Sequence, residues 1–260
     1  MIRDYEKELK NRVAWIRGLL DSSGHNSIVY GASGGKDSVL VGILCKLACP
    51  NTIGVIMPCQ SQRNFNEDKQ DALIISKQFD IEHIEVDLTN VKASFVDAHK
   101  SFVSVHKSSA DANKSFKLDL AKSPQAINNI APRLRMICLY SIAAANNALV
   151  AGTGNKSEIH MGYFTKWGDG ASDFNPIADL SVTEIFEFLK HLGVAEHFWQ
   201  KAPSAGLFEG QTDEDEMGVS YAEIDAYLLN GEKGENYHII EKAHKASAHK
   251  RAAIKRYGDI

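Results

Sequence analysis

The chain has 260 residues, of which 44% are hydrophobic and 24% charged, and its 29 Lys and Arg against 33 Asp and Glu give a net charge of −4. This composition predicts a globular protein with a single domain over residues 1–260, and it excludes a disordered or fibrous chain. The acidic balance argues against nucleic-acid and membrane partners, and no apolar stretch approaches the roughly 20 residues of a membrane span. Because the chain also begins without a signal-peptide core, we expect a cytoplasmic protein that acts on small molecules.

The first half of the chain predicts helices that alternate with strands. Apolar residues at three- and four-residue steps predict a helix over the first twenty residues, ending near Gly24. A short apolar strand at 27–30 then runs into a glycine-rich segment, and a helix from Val39 to Ala48 follows directly. The alternation continues with strands at 52–57 and 81–86 and with helices at 67–79 and 91–105. This order predicts an α/β fold with a doubly wound parallel sheet and helices on both faces.

The second half is less regular. The polar segment 106–123 predicts a mobile insertion, and residues 124–147 predict one long helix with more apolar surface than a single sheet contact needs. A fourth strand at 148–151 ends in a second glycine loop, Gly152-Thr153-Gly154. Beyond it we predict a helix at 182–192, a loop at 203–218 of which 204–218 is mobile, and a C-terminal helix with a basic end.

The sharpest motif is Ser33-Gly34-Gly35-Lys36-Asp37-Ser38, which lies between the first predicted strand and its helix. Glycines at this position expose backbone N–H groups that a phosphate can approach closely, and the helix dipole adds to the attraction. The segment is not a Walker A loop, because its lysine precedes an aspartate. A carboxylate there would repel phosphate unless a divalent cation lay between them, so Asp37 predicts Mg²⁺.

This loop resembles that of the ATP pyrophosphatase family, whose members adenylate a substrate and release pyrophosphate. Further segments narrow the resemblance, and together they look like the NAD synthetase family from Tyr5 to Arg251. They are Pro132-Arg133-Leu134-Arg135-Met136, Gly152-Thr153-Gly154-Asn155-Lys156-Ser157-Glu158, the run from Gly162 to Gly170, Asp173 with Pro176, Gln211-Thr212-Asp213-Glu214 and His249-Lys250-Arg251. The resemblance implies a five-stranded sheet of the adenine nucleotide alpha hydrolase-like, Rossmann-like type.

The resemblance also implies a ligase that forms a C–N bond. It would amidate deamido-NAD with ammonia, using ATP and Mg²⁺, and release AMP and pyrophosphate through an adenylate, the last step of NAD biosynthesis. It further implies a homodimer with its sites near the interface. Glutamine would not serve as the nitrogen donor.

The implied site residues fall into four groups. The ATP-binding residues are Gly31, Ala32, Ser33, Gly34, Gly35, Lys36, Asp37, Ser38, Thr153 and Ser204, and the metal ligands are Asp37 and Glu158. Contacts to deamido-NAD are assigned to Arg133, Lys166, Asp173, His249 and Lys250. The catalytic group is Asp37, Ser38 and Asp173, the last to orient or deprotonate incoming ammonium. One departure concerns Val182, which stands where the family usually has a lysine that reaches the phosphates; Lys36 or Lys156 would supply that charge.

Other interpretations of these residues stay open. Glu158 would serve a helix dipole alone, Arg133 would be structural, Lys166 and Asp173 would belong to a solvated loop, and 249–251 would be a basic helix end. A thiolase or a GMP synthetase on the same loop is a competing enzyme, although the chain shows neither a paired-cysteine relay nor an RNA-binding extension. A non-catalytic nucleotide sensor is the competing class, since fold does not fix function.

Overall fold

A parallel sheet forms the centre of the protein, as seen in a computed structural model that describes residues 3–60, 69–100, 123–200 and 212–258. Its strands are β1 (Ser27–Gly31), β2 (Thr52–Ile56), β3 (Glu82–Glu85) and β4 (Ala148–Ala151), in the order β3-β2-β1-β4. Tyr30 of β1 lies opposite Gly54 of β2 and Ala151 of β4. A single parallel bridge joins Ala151 to Phe174 beyond β4. The parallel α/β fold is confirmed, and a fifth strand stays a prediction.

Helices cover both faces of this sheet. On one face the apolar cluster around Leu40, Ile43 and Phe188 is built from α1 (Tyr5–Ser23), α2 (Lys36–Ala48), α3 (Lys69–Gln78) and α8 (Val182–His191). On the other face α6 (Ile130–Ala145) packs on β1 and β4, next to α4 (Thr89–Lys100). The residues of β1 from Ser27 to Tyr30 are buried, so the segment that follows this strand is held at a fixed place.

The long helix predicted over residues 124–147 is wrong in one respect, because the structure divides it. A short α5 (Pro124–Asn128) is followed at Asn129 by α6, and Pro132 lies in the first turn of α6. Proline has no N–H to donate and its ring clashes with the carbonyl four residues earlier, so an unbroken helix through this point is disfavoured. The first turn of a new helix accepts proline without that cost.

The remaining helices form a third cluster, around Met161, Ile224 and Ile240. They are α7 (Lys156–Met161), α10 (Asp213–Met217), α11 (Tyr221–Asn230), α12 (Tyr237–Ala246) and α13 (Ala248–Arg251), while α9 (His197–Gln200) follows α8. The C-terminal region predicted as a helix with a basic end is helical, but it is divided into separate helices. It is interrupted at Gly231, which has a φ of 74°, and again at Ser247. None of the helices in the described ranges is long and apolar enough to cross a bilayer.

The loop predicted at 203–218 is also partly wrong, since its last residues form α10. The side chain of Thr212 accepts a hydrogen bond from the backbone N–H of Asp215 and caps this helix, and Gly218, with a φ of 69°, ends it. Four consecutive acidic residues, 213–216, lie in its first turn, where the helix dipole favours negative charge. Of the predicted mobile segments 106–123 and 204–218, residues 106–122 and 204–211 lie outside the described residues.

Candidate active site

A cavity of about 1000 Å³ opens at the carboxyl ends of β1, β2 and β4. Open parallel sheets bind ligands at this edge. The cavity brings together ten of the side chains and backbone positions expected from sequence: Gly31, Ala32, Ser33, Gly35, Lys36, Asp37, Ser38, Thr153, Glu158 and Lys250. Residues more than 200 positions apart thus meet at one edge of the sheet.

The glycine-rich loop ends at the N-terminus of α2, as expected. Gly34 has a φ of 77°, a conformation that side chains disfavour, and Gly35 occupies the N-cap position. The hydroxyl of Ser33 donates to that of Ser38 over 3.0 Å, and Ser38 donates to the carbonyl of Gly35 over 2.9 Å. These hydrogen bonds join the loop to the first turn of α2. The backbone N–H groups of the first turn have no intrahelical partner and face the end at which an anion binds.

Asn155 links the two carboxylates expected to hold a metal. Its side-chain nitrogen donates to Asp37 Oδ1 over 3.3 Å, while its side-chain oxygen accepts the backbone N–H of Glu158 at 2.9 Å. Glu158 in turn accepts the backbone N–H of Asn155 at 3.0 Å, which completes a capping box at the start of α7. Asn155 is fully buried. One amide therefore fixes the position of a carboxylate that follows β4 relative to one that follows β1.

A buried lysine balances this negative charge. The Nζ of Lys36 lies 2.9 Å from Asp37 Oδ2, and burial lowers the pKa of Lys36 less than Asp37, Glu158 and Asp213 together raise it. Burial and the neighbouring Asp37 raise the pKa of Glu158 well above its usual range. Raised pKa values at a lysine and at a carboxyl in the same cavity indicate an excess of negative charge there, and such perturbed groups are typical of functional sites.

The oxygen donors of this cavity fit a magnesium ion only in part. Asp37 and Glu158 supply hard carboxylate oxygens, but over the described ranges no three Asp, Glu, His or Cys side chains are grouped closely enough to hold a metal. Mg²⁺ is commonly held by one or two carboxylates together with substrate phosphates and water. The residues present therefore fit a cation that arrives with a nucleotide better than one bound by the protein alone.

Asp173 and Arg133 are two of the expected dinucleotide contacts that lie outside the cavity lining. Asp173 is exposed, and its carboxylate accepts the backbone N–H of Val150 at 2.8 Å and the hydroxyl of Tyr140 at 3.2 Å. Burial, then Asp173, raises the pKa of Tyr140 to about 12. Arg133 is also exposed, and it donates to the carbonyl of Lys166 over 3.3 Å. Within this chain, both side chains stabilise the segments on which they lie.

Three further residues expected near the dinucleotide, Lys166, His249 and Lys250, meet at α13. Lys166 Nζ donates to the carbonyl of His249 over 2.6 Å, and neither of these residues lines the cavity. Lys250 does line it, but its Nζ donates to the carbonyls of Gly162 and Phe164, both over 2.7 Å. Burial lowers the pKa of Lys250. Lys166 and Lys250 therefore join α13 to the loop that follows α7. Ser204, expected to contact ATP, lies outside the described residues.

Sequence reasoning assigned no role to Asn155, Tyr221 or Arg135 in the site. Arg135 lines the cavity and donates from Nε to the carbonyl of Met57 over 3.1 Å. Asn155 carried a usable signal, because Asn followed three residues later by Glu is a capping-box pattern. No local sequence pattern predicts a role for Tyr221, because its position beside Lys36 depends on how α11 packs against α7 and α8.

Comparison with known proteins agrees with this geometry. A family model described as NAD synthase matches residues 8–257. The NH(3)-dependent NAD(+) synthetase of Carboxydothermus hydrogenoformans is 42% identical over 252 residues, 95% of this chain and 96% of that protein. The solved NMN synthetase from Francisella tularensis superposes with a TM-score of 0.84 at 34% identity over 98% of both chains. An NH3-dependent NAD synthetase from Campylobacter jejuni gives a TM-score of 0.73 at 27% identity over 98% of this chain and 99% of that one.

Proposed function

The chain belongs to the NAD synthase family, and on that premise we propose that it is an ammonia-dependent NAD synthetase. The enzyme is a ligase that amidates deamido-NAD at the expense of ATP. The nicotinate carboxylate attacks the α-phosphorus of ATP and expels pyrophosphate. Ammonia then attacks the carbonyl of the resulting adenylate and expels AMP, which leaves the carboxamide of NAD.

One observation carries the proposal: Asn155 holds Asp37 and Glu158 together beside the N-terminus of α2. The helix N-terminus and the loop amides bind phosphate oxygens, and the paired carboxylates bind the cation that accompanies a triphosphate. This arrangement stabilises charge on a departing pyrophosphate, and the reaction needs no covalent enzyme nucleophile. Simple binding of a nucleotide, as in a sensor, does not require two half-buried carboxylates that repel each other.

We assign the phosphates of ATP to residues 31–38, with Ser38 and Lys36 donating to their oxygens and Thr153 on the facing loop. Asp37 and Glu158 would hold Mg²⁺, which when bound neutralises charge on the triphosphate. Ser204 is assigned to the same phosphates by resemblance alone. Val182 is buried in the third cluster, so no cation reaches the cavity from its position.

The dinucleotide is assigned to the end of the cavity formed by the loop after α7 and by α13. Lys250 lines the cavity there, and Lys166 and His249 lie directly behind it. Arg133 is exposed on α6, and Asp173 is exposed where it contacts Tyr140 of the same helix, so both would reach a dinucleotide at a subunit boundary. We therefore include a homodimer with its sites near the interface in the proposal. A single domain and a cytoplasmic location stay predictions.

The decisive experiment incubates the purified protein with ATP, Mg²⁺, deamido-NAD and ammonium, and measures NAD, AMP and pyrophosphate. We expect all three products in equal amounts. Glutamine in place of ammonium should give no NAD, and Asp37→Asn should lower the rate at limiting Mg²⁺. Pyrophosphate release without dependence on deamido-NAD would point to another acceptor, and no release at all would favour the nucleotide sensor.

A second substrate deserves the same assay, because the Francisella protein with a TM-score of 0.84 is named as an NMN synthetase. Its name implies amidation of the mononucleotide, which shares the nicotinate carboxylate with deamido-NAD but lacks the adenylate half. The two substrates should be offered together at equal concentration with limiting ATP. Formation of NAD in excess over NMN supports the proposed enzyme, whereas an excess of NMN would reassign it to the mononucleotide.

A further inference from the structure

Lys36 is an unusually buried cation in the centre of the proposed ATP site. Its exposed fraction is 6%, and its Nζ lies 2.9 Å from Asp37 Oδ2. Removing an ammonium group from water is costly unless it is paired, so this lysine must be held by neighbours of opposite charge. Asp37, Glu158 and Asp213 all act on it electrostatically.

The packing around Lys36 limits where its ammonium can go. The Nζ lies 5.4 Å from the ring centroid of Tyr221, and the hydroxyl of Tyr221 donates to Asp213 Oδ2 over 3.2 Å. The backbone N–H of Tyr221 donates to Glu214 over 2.8 Å, and both Tyr221 and Asp213 are buried. The start of α11 and the start of α10 therefore form a rigid wall that confines the lysine stem against Asp37.

We propose that Lys36 is the resident counter-ion of the Asp37 and Glu158 carboxylates in the nucleotide-free protein, and that it yields Asp37 to the divalent cation that arrives with ATP. The displaced ammonium then pairs with a phosphate oxygen in the same cavity. The second half rests on the proposed function. The first half concerns the free protein alone, and it accounts for two repelling carboxylates that persist side by side without a third ligand.

With Lys36 in this role, the chain needs no lysine at position 182. Val182 is buried among apolar neighbours, and Lys156 does not line the cavity. Lys36 already lies beside the phosphate loop, so the positive charge enters the site from the loop instead of from the start of α8. Tyr221 and Asp213 act as positioning residues for it, since each touches the lysine or its surroundings and neither needs to touch ATP.

The test measures divalent-cation binding to the protein without nucleotide, with Mn²⁺ as a spectroscopic probe of free metal and Mg²⁺ as competitor. Lys36→Met removes the competing charge, and we expect it to bind Mn²⁺ at least about tenfold more tightly than the wild type, as loss of a unit charge a few ångströms away implies. Lys36→Arg keeps the charge and should stay close to the wild type. Lys46→Met, at the opposite end of α2, is the matched control for net charge and should not change binding.

Equal Mn²⁺ affinity in wild type and Lys36→Met would overturn the proposal. An equal gain in Mn²⁺ affinity in Lys46→Met would also overturn it, because the gain would then reflect the net charge of the protein and not the position of Lys36. Lys36→Gln provides a second neutral variant should Lys36→Met fail to fold, with the circular dichroism spectrum as the criterion. Since no nucleotide is present, the result of the Mn²⁺ titration does not depend on whether the protein forms NAD. The assay of NAD formation tests the proposed function separately.

Discussion

The ammonium of Lys166 donates a hydrogen bond to the main-chain carbonyl of His249 over 2.6 Å, although 83 residues separate the two along the chain. Both residues were expected to contact the dinucleotide, and the structure shows that they contact each other. The acceptor belongs to the backbone, so the identity of side chain 249 does not affect the bond. Lys166 thus fastens α13, which also carries Lys250, to the loop after α7.

This bond predicts different results for two variants. Lys166→Met removes the donor, so we expect faster amide hydrogen exchange across residues 248–251. Relative to the wild type, this variant should lose more affinity for deamido-NAD than for ATP. His249→Ala keeps the carbonyl and should leave exchange in that segment unchanged. Hydrogen exchange with mass spectrometry, together with binding curves for both nucleotides, provides the measurement. Faster exchange in His249→Ala would show that the imidazole, and not the backbone contact, anchors α13.

The paired carboxylates predict a change in magnesium requirement. Asp37→Asn and Glu158→Gln each remove one hard anionic oxygen donor from the proposed site. We expect each variant to need about tenfold or more Mg²⁺ for half-maximal NAD formation, because charge is the main contribution of a carboxylate ligand. Glu187→Gln, an exposed position on α8, is the control and should match the wild type. An unchanged Mg²⁺ requirement in Glu158→Gln would return Glu158 to a purely helix-capping role.

Glu158 also predicts a gain in stability when its charge is removed. Burial and Asp37 raise the pKa of Glu158 in the folded state, so the folded protein holds this proton more tightly than the unfolded chain does. Its contribution to stability is therefore present below the unfolded pKa of about 4.3 and is lost as pH rises through the folded pKa. Glutamine keeps the capping-box acceptor without the charge.

We expect Glu158→Gln to melt at a higher temperature than the wild type at pH 8, and the difference to disappear near pH 4. Thermal unfolding at several pH values, without nucleotide or metal, measures it. A melting temperature below that of the wild type at pH 8 would contradict the assigned direction of the pKa shift. The charge of Glu158, which is expected to bind the metal ion, would then not destabilise the metal-free protein.

The sequence was sufficient to predict elements whose signals are local. The helices from Tyr5 and Lys36, the four strands and the glycine loop all follow from hydrophobic period and turn residues. The bounds of the short helices were not predicted, because α7, α10 and α13 have only four to six residues and depend on caps and tertiary packing for their stability.

The site was predictable to a similar extent. The loop residues from Gly31 to Ser38 lie where a strand, a glycine turn and a helix must place them. Asp173 and Arg133, by contrast, were assigned by resemblance, and no single-chain pattern could reveal that Asp173 accepts the N–H of Val150. The partners of Lys166, Lys250 and Tyr221 depend on packing between elements more than 50 residues apart, which the local sequence does not encode.

His160 predicts an acid-sensitive step in stability. Its ring stacks on His244 with centroids 4.0 Å apart, and its Nε2 is buried without a hydrogen-bond partner. Burial, then His244 and Arg251, lowers the pKa of His160 to about 4 from the usual 6.5. The unfolded chain therefore takes up the proton first, and the stability present above pH 6.5 is lost as pH falls towards 4.

We expect His160→Phe, which keeps the aromatic stack, to lose less stability than the wild type between pH 7 and pH 4.5. The difference should be about 1 to 2 kcal/mol, since solvent screens this half-buried position. Urea unfolding at a series of pH values measures it, and exposed His238→Phe serves as the control. Parallel pH profiles for His160→Phe and the wild type would show that other groups cause the acid sensitivity.

The proposed homodimer predicts a mutation that separates the subunits. On the face of the sheet covered by α4 and α6, three apolar side chains remain exposed: Val91 at 48%, Phe95 at 44% and Ile137 at 56%. The two helices are in contact, and Ile137 lies one turn after Arg133 on α6, the helix whose Tyr140 contacts Asp173. A charge placed there would have to be desolvated on association, which is costly without a partner.

We expect Ile137→Glu to sediment as a monomer at concentrations at which the wild type is a dimer. Ile74→Glu adds the same charge at a 48% exposed position on α3, across the sheet, and should remain dimeric. If both variants sediment like the wild type, the interface lies elsewhere, and the placement of the dinucleotide next to Arg133 and Asp173 loses its support.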